Sequence, residues 1–171
     1  VGLNAPRQIA LPHDIFRVLG APALMESIGS QLGYPLMVKP SRSGSALGVT
    51  KVSSASELPR ALVAAYAYGP VAVIESYLEG TEIAVTVLDE GDGPVALPAV
   101  EIRPESGVYD YESRYTAGTT RFVAPAQLDD DVLAAAGDLA VAVHEALGLR
   151  HISRVDMIVR DGVPVFFEGN V

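Results

Sequence analysis

Four residues near the end of the chain, Arg154, Asp156, Glu168 and Asn170, lie in β-rich runs beside Val155, Met157, Phe166 and Phe167. Carboxylates among such neighbours are costly to bury unless they are paired or bound to a cation. Two carboxylates and an amide carbonyl form a hard oxygen set suited to Mg²⁺ or Mn²⁺, which take remaining ligands from water and nucleotide phosphate. The plainer alternative is a salt bridge of Arg154 with the two acids. Glu168 and Asn170 are two apart and share a strand face. Whether Asp156 joins them depends on the turn between the two runs. A two-residue Asp161-Gly162 turn pairs Asp156 with Phe167 and sets the carboxylates on opposite faces. A three-residue Asp161-Gly162-Val163 turn pairs Asp156 with Glu168 and Arg154 with Asn170, so that all four share one face.

A second constellation is VKPSRSGSALGVTKV, residues 38–52, in which Lys39 ends one apolar run and a Ser- and Gly-rich loop leads to another. A P-loop needs GxxxxGK[ST] opening a helix, and here Gly44 and Gly48 run into the β-rich Val49-Thr50-Lys51-Val52. What remains is strand, lysine, loop, strand. The loop's backbone amides can fold over phosphates while Lys39 supplies a fixed positive charge. An ordinary hairpin turn with a surface lysine fits the same residues about as well, since Gly and Ser dominate turns. The third stretch is IESYLEGTEIAV, residues 74–85. Glu75 and the backbone suit an adenine edge, Tyr77 and Leu78 the flank of a base, and Glu82 ribose hydroxyls. Taken alone, a solvated turn between strands explains it better.

The surrounding elements are expected as follows. A strand at Arg7–Leu11 precedes a helix near Ala23–Leu32 with Pro22 in its first turn, and a strand follows at Pro35–Lys39. Ser54 and Glu57 have capping-box spacing before a helix that runs to about Tyr66, with Pro59 in its first turn. Val71–Ser76 reads as a strand. Glu82–Leu88 and Val95–Ile102 form an antiparallel hairpin around DEGDG. Pro104–Pro125 has little periodicity but carries Tyr109, Tyr111 and Tyr115, the mark of a functional loop. Residues 133–146 follow helical spacing, with acids at 129–131 and Gly148 as a stop. Strands at Ser153–Val159 and Pro164–Asn170 close an α+β chain of mainly antiparallel sheet in two lobes.

The chain has 171 residues and a formal net charge of -9, with only 12 Lys and Arg. Such a charge repels a nucleic-acid backbone, so an anionic nucleotide must meet a local basic site or a metal. No apolar run approaches the roughly 18 residues of a membrane span. Without cysteine there is no disulfide, thiol nucleophile or zinc-thiolate site, which fits a cytoplasmic protein. The first residue lies in what reads as a structured segment, so a piece of a longer protein is expected.

In this order, VKPSRSGSALGV, IESYLEGTEIAV, YDYESRYTAGTTRFVAP and RVDMIVRDGVPVFFEGN resemble the ATP-grasp part of D-alanine:D-alanine ligases over nearly the whole chain. The resemblance implies an ATP-grasp fold with the nucleotide in a cleft between a smaller lobe, about residues 1–78, and a larger one, about 79–171. The N-terminal substrate domain of the family is not among these residues, and the piece alone is expected to be inactive. The implied reaction is ATP-dependent joining of two D-alanines through an acyl phosphate, for peptidoglycan precursors. By position, Lys39 contacts phosphates, and Ser43, Gly44, Ser45, Ala46 and Leu47 cover them, with Ser45 near the substrate. Glu75, Ser76, Tyr77, Leu78 and Glu82 hold adenine and ribose. Asp156, Glu168 and Asn170 bind two Mg²⁺, with Glu168 also on the nucleotide side. Arg154 faces the transferring phosphate, Arg114 helps hold it, and Tyr115 hydrogen-bonds toward Ser45.

Ser76, Ala46, Arg114, Gly169 and Val171 differ from the residues usual in that family. The expected partners are therefore ATP, Mg²⁺ or Mn²⁺, and D-alanine or another amino acid, with no nucleic acid and no membrane. A homodimer is among the expectations for the full-length protein. Two rivals stand beside this reading: an ATP-grasp ligase for other amino acids or peptides, and a nucleotide-binding module without catalysis.

Overall fold

The computed structural model describes residues 2–19, 21–42, 44, 46–105, 116 and 118–171, apart from the side chains of Leu19 and Ala21. The chain divides into two compact units, Pro6–Tyr77 and Val1–Ala5 with Leu78–Val171. No helix among the described residues is long and apolar enough to cross a membrane.

The first unit is a four-stranded antiparallel sheet, ordered β1-β4-β2-β3, with β1 Gln8–Pro12, β2 Leu36–Pro40, β3 Thr50–Val52 and β4 Val71–Ser76. Three helices accompany it: α1 His13–Leu19, α2 Ala21–Leu32 and α3 Leu58–Tyr66. The period of two in Leu36-Met37-Val38-Lys39-Pro40 sends Leu36, Val38 and Pro40 to the buried side. There Leu36, Val38, Val52, Ala72 and Ile74 pack with Met25, Ile28, Leu58 and Leu62 of the helices. Each fully buried aliphatic side chain contributes about 1.5–3 kcal/mol. Met37, Lys39 and Glu75 therefore point to the opposite face.

Helix α1 has no counterpart in the sequence reading. Its seven residues follow β1 without a gap, too short a run for a period to stand out. Helix α3 starts at Leu58 with Glu57 at its N-cap position. The Glu57 carboxylate accepts from the Ser53 backbone N–H at 2.8 Å and from Ser54 Oγ at 3.3 Å. The Ser54–Glu57 pair thus forms ahead of the helix instead of inside its first turn, and Pro59 does occupy that turn.

The second unit is a six-stranded antiparallel sheet, ordered β10-β9-β5-β7-β8, with β6 also paired to β5. Its strands are β5 Thr81–Asp89, β6 Pro94–Ala96, β7 Val100–Pro104, β8 Thr120–Val123, β9 Ile152–Arg160 and β10 Val163–Asn170. Helix α4, Asp130–Ala146, covers one face. Its Ala136, Ala140 and Val143 sit against Ile83, Val85, Val87, Val155 and Met157. The small residues let the helix approach the sheet closely.

Two expectations need correction here. Val95–Ile102 is not one strand. Val87 pairs with Ala96 and Ala84 with Val100, so one extra residue separates the two ladders. Pro98, which has no N–H to give a ladder, lies in the break. The segment Pro104–Pro125 also contributes β8, whose Thr120–Val123 pair with Glu101–Pro104.

Candidate active site

In the first unit Lys39 lies opposite Val73, and Glu75 opposite Met37, which makes Lys39 and Glu75 diagonal neighbours on one sheet face. Lys39 Nζ is 3.0 Å from Glu75 Oε1, with side-chain exposures of 24% and 8%. The carboxylate is buried, and the ammonium above it is wet enough to meet a soluble anion. Ser76 points the other way: its hydroxyl donates to the Leu32 carbonyl, the last of α2, at 3.2 Å. The Tyr77 backbone N–H donates to Pro35 O at 3.1 Å, and Lys51 Nζ lies 3.8 Å from the centroid of its ring.

The loop after Lys39 returns through tight turns, Leu47 N–H to Gly44 O and Val49 N–H to Ala46 O, both 3.2 Å. Ala46 and Gly48 have φ of 57° and 74°. A Cβ on Gly48 would come within 2.7 Å of the Tyr68 ring and 3.0 Å of Pro40, so only glycine suits that position. Ser43 and Ser45 lie outside the described residues, as do Arg114 and Tyr115.

In the second unit the turn is the two-residue one. Arg160 pairs with Val163, and Asp161 and Gly162 have φ of 52° and 77°, the positive values a type I′ turn requires. A regular ladder from that turn would separate the carboxylates. Instead the register shifts at a β-bulge: Met157 pairs with Phe166, and Asp156 with Glu168. Phe167 is the extra residue, so Glu168 and Asn170 return to the face of Asp156 and Arg154. Neither turn alone explains the arrangement. The two-residue turn forms, and the bulge restores the facing that a three-residue turn would have given. Ala84 of β5 lies opposite Asp156 and Thr86 opposite Arg154, which adds Glu82 to the same face, the one away from α4.

Asp156 is only 2% exposed. Arg154 donates to it from Nε to Oδ1 at 2.7 Å and from Nη2 to Oδ2 at 2.9 Å. Asn170 Nδ2 donates to the same Oδ2 at 3.0 Å, which leaves its Oδ1 as an acceptor. The salt bridge of the plainer reading therefore exists between Arg154 and Asp156. Among the described residues the half-buried Glu168 carboxylate has no hydrogen bond or ion pair. An acid left unpaired beside a second acid is the donor chemistry that a divalent cation satisfies. No group of three His, Cys, Asp or Glu gathers for a metal among the described residues; this set has two acids, and its third oxygen comes from an amide.

The buried Glu101, on the α4 face, does not join the site. Arg103 donates to it at 2.6 and 2.8 Å, and the Gln127 backbone N–H at 3.1 Å. The Arg103 hydrogen bonds hold its carboxyl below the usual range; burial opposes them and the Gln127 N–H adds to them. The pair ties β7 to the segment leading into α4.

A family model described as the D-ala D-ala ligase C-terminus matches residues 2–171. The chain belongs to this family. The D-alanine--D-alanine ligase of Fervidobacterium nodosum is 38% identical over 143 residues, 84% of this chain and 45% of that protein. The VanG D-Ala:D-Ser ligase of Enterococcus faecalis superposes with a TM-score of 0.84 at 32% identity, over 99% of this chain and 48% of that one. The D-alanine--D-alanine ligase of Bacillus anthracis complexed with ATP gives 0.75 at 27% identity, over 99% and 50%. The chain spans about half the length of the curated relatives it matches. The fold is the α+β ATP-grasp arrangement of these ligases, as the sequence resemblance implied.

Proposed function

We propose that the chain is the nucleotide-binding and carboxylate-activating part of an ATP-dependent ligase. The ligase joins two D-alanines through an acyl phosphate for peptidoglycan precursors, in the cytoplasm where ATP is made. The observation that carries this reading is the bulge at Phe167, which brings Glu168 and Asn170 to the face of Asp156 and Arg154. Asp156, Glu168 and Asn170 are the residues that hold Mg²⁺, in two sites. The ions supply positive charge against phosphate oxygens, the main requirement of phosphoryl transfer.

Lys39 neutralises phosphate charge from its strand, and the loop from Ser43 to Leu47, with Gly44, Ser45 and Ala46, covers it. Glu75 and Leu78 take the adenine, with Tyr77 beside it, the Ser76 backbone passing between them, and Glu82 on the ribose. Arg154 meets the transferring phosphoryl group, with Arg114, Tyr115 and Ser45 as further contacts. The first substrate's carboxylate takes the γ-phosphate, the second substrate's amine attacks the acyl phosphate, and phosphate leaves.

The superposition on a D-Ala:D-Ser ligase favours a second reading, in which the acceptor is another amino acid. Phosphate release and dipeptide formation by the purified full-length protein, assayed with D-alanine alone, D-alanine with D-serine, and L-amino acids, separate the two. D-Ala-D-Ala as the main product supports the first reading. A mixed product supports the second. Activity with L-amino acids and none with D-alanine removes both.

A further inference from the structure

Lys51 has no place in the roles above, yet its side chain is specifically directed. It lies on β3 opposite Met37, which in turn lies opposite Glu75, so the three form one rung on one sheet face. Tyr77 follows the end of β4 beside Pro35, two residue pairs beyond that rung. To place Nζ 3.8 Å from the Tyr77 ring centroid, the Lys51 chain must cross β2 diagonally, although the residue is exposed and could extend into water. Holding a long cation there costs rotamer entropy that the cation–π contact must offset. Half-buried Tyr77 also donates its backbone N–H to Pro35, and no other ring contact involves it among the described residues.

We propose that Lys51 is a positioning residue for nucleobase binding: its ammonium fixes the Tyr77 ring at the angle from which that ring packs against a purine. The inference rests on the nucleotide reading of Glu75 and Tyr77 and extends it to a residue on another strand. Lys51 then acts on the base and not on the phosphates, which fall to Lys39. An aromatic ring pinned before binding loses less freedom on binding, so affinity rises with no contact from Lys51 to the ligand.

Calorimetry on the full-length protein with a non-hydrolysable ATP analogue and, separately, with adenosine tests this, using Lys51→Met and Lys51→Arg. Lys51→Met should weaken both ligands by the same factor, about two- to fivefold. The melting temperature should stay within about 2 °C of the parent, as for a surface substitution. Lys51→Arg should restore both affinities, because a guanidinium also stacks on an aromatic face. Unchanged affinity in Lys51→Met overturns the proposal. So does a loss confined to the ATP analogue, which would make Lys51 a phosphate contact. A parent protein that binds neither ligand removes the nucleotide reading itself, a failure visible before any variant is made.

Discussion

Lys39 and Glu75 were each legible as candidates, one for phosphate and one for adenine, but not as a pair. Their contact depends on β2 lying beside β4, a pairing of distant segments that neither stretch encodes. The consequence is an energetic coupling. Removing Lys39 leaves Glu75 buried without that cation, whereas removing both charges does not. In a double-mutant cycle, Lys39→Met with Glu75→Gln should therefore be less destabilising than the sum of the two single changes, by about 0.5–3 kcal/mol in urea unfolding. Additive effects would mean that the 3.0 Å contact is energetically idle. Glu101 gives a pH-dependent counterpart away from the site. Its carboxyl is lowered in the folded chain, so its contribution to stability is present above the ordinary carboxylate range and disappears as pH falls through the depressed folded value. Glu101→Gln should be less stable than the parent at neutral pH, with the gap narrowing in acid. A gap that widens in acid would contradict the assignment. The alternation Glu101-Ile102-Arg103 was visible in the sequence, but nothing in it announced Gln127 as the third member.

At the scale of elements, β4 and the terminal strands were legible because their periods are clear and their turns are marked by Gly and Asp. What escaped was the bulge. Two adjacent phenylalanines in VPVFFEGN do not say which of them leaves the ladder, and the facing of Glu168 depends on that choice. Helix α1 and strand β8 escaped because they are seven and four residues long, too short for a hydrophobic period to stand out. The turn carries its own prediction. Gly162 at φ 77° cannot take a β-branched residue without strain. Gly162→Val should therefore destabilise by about 1–3 kcal/mol, while the folded protein keeps the proposed metal-dependent nucleotide affinity, since with the two-residue turn retained the bulge still returns Glu168 to the face of Asp156. Thermal melts and calorimetry on the same sample separate the two effects. Lost metal dependence in fully folded Gly162→Val protein would place register control at the turn.

For the molecule as a whole, periodicity and turn chemistry reach an α+β class with antiparallel sheet, and the ATP-grasp assignment came from the order of four motifs. Net charge adds a further constraint. A chain of -9 repels a nucleotide polyanion, so the proposed nucleotide affinity would have to rest on Lys39, Arg154 and a divalent cation. If Glu168 holds such a cation as proposed, it should weaken the fold when the cation is absent, because among the described residues its carboxylate sits unpaired beside Asp156. Function and stability should therefore separate at that residue. The most direct measurement is calorimetric titration of the full-length protein with a non-hydrolysable ATP analogue, with and without Mg²⁺, for the parent and Glu168→Gln. The account predicts that Mg²⁺ strengthens binding to the parent by about 10- to 100-fold. In Glu168→Gln that increment should be lost while the melting temperature holds or rises. An equal Mg²⁺ increment in the two proteins would contradict it.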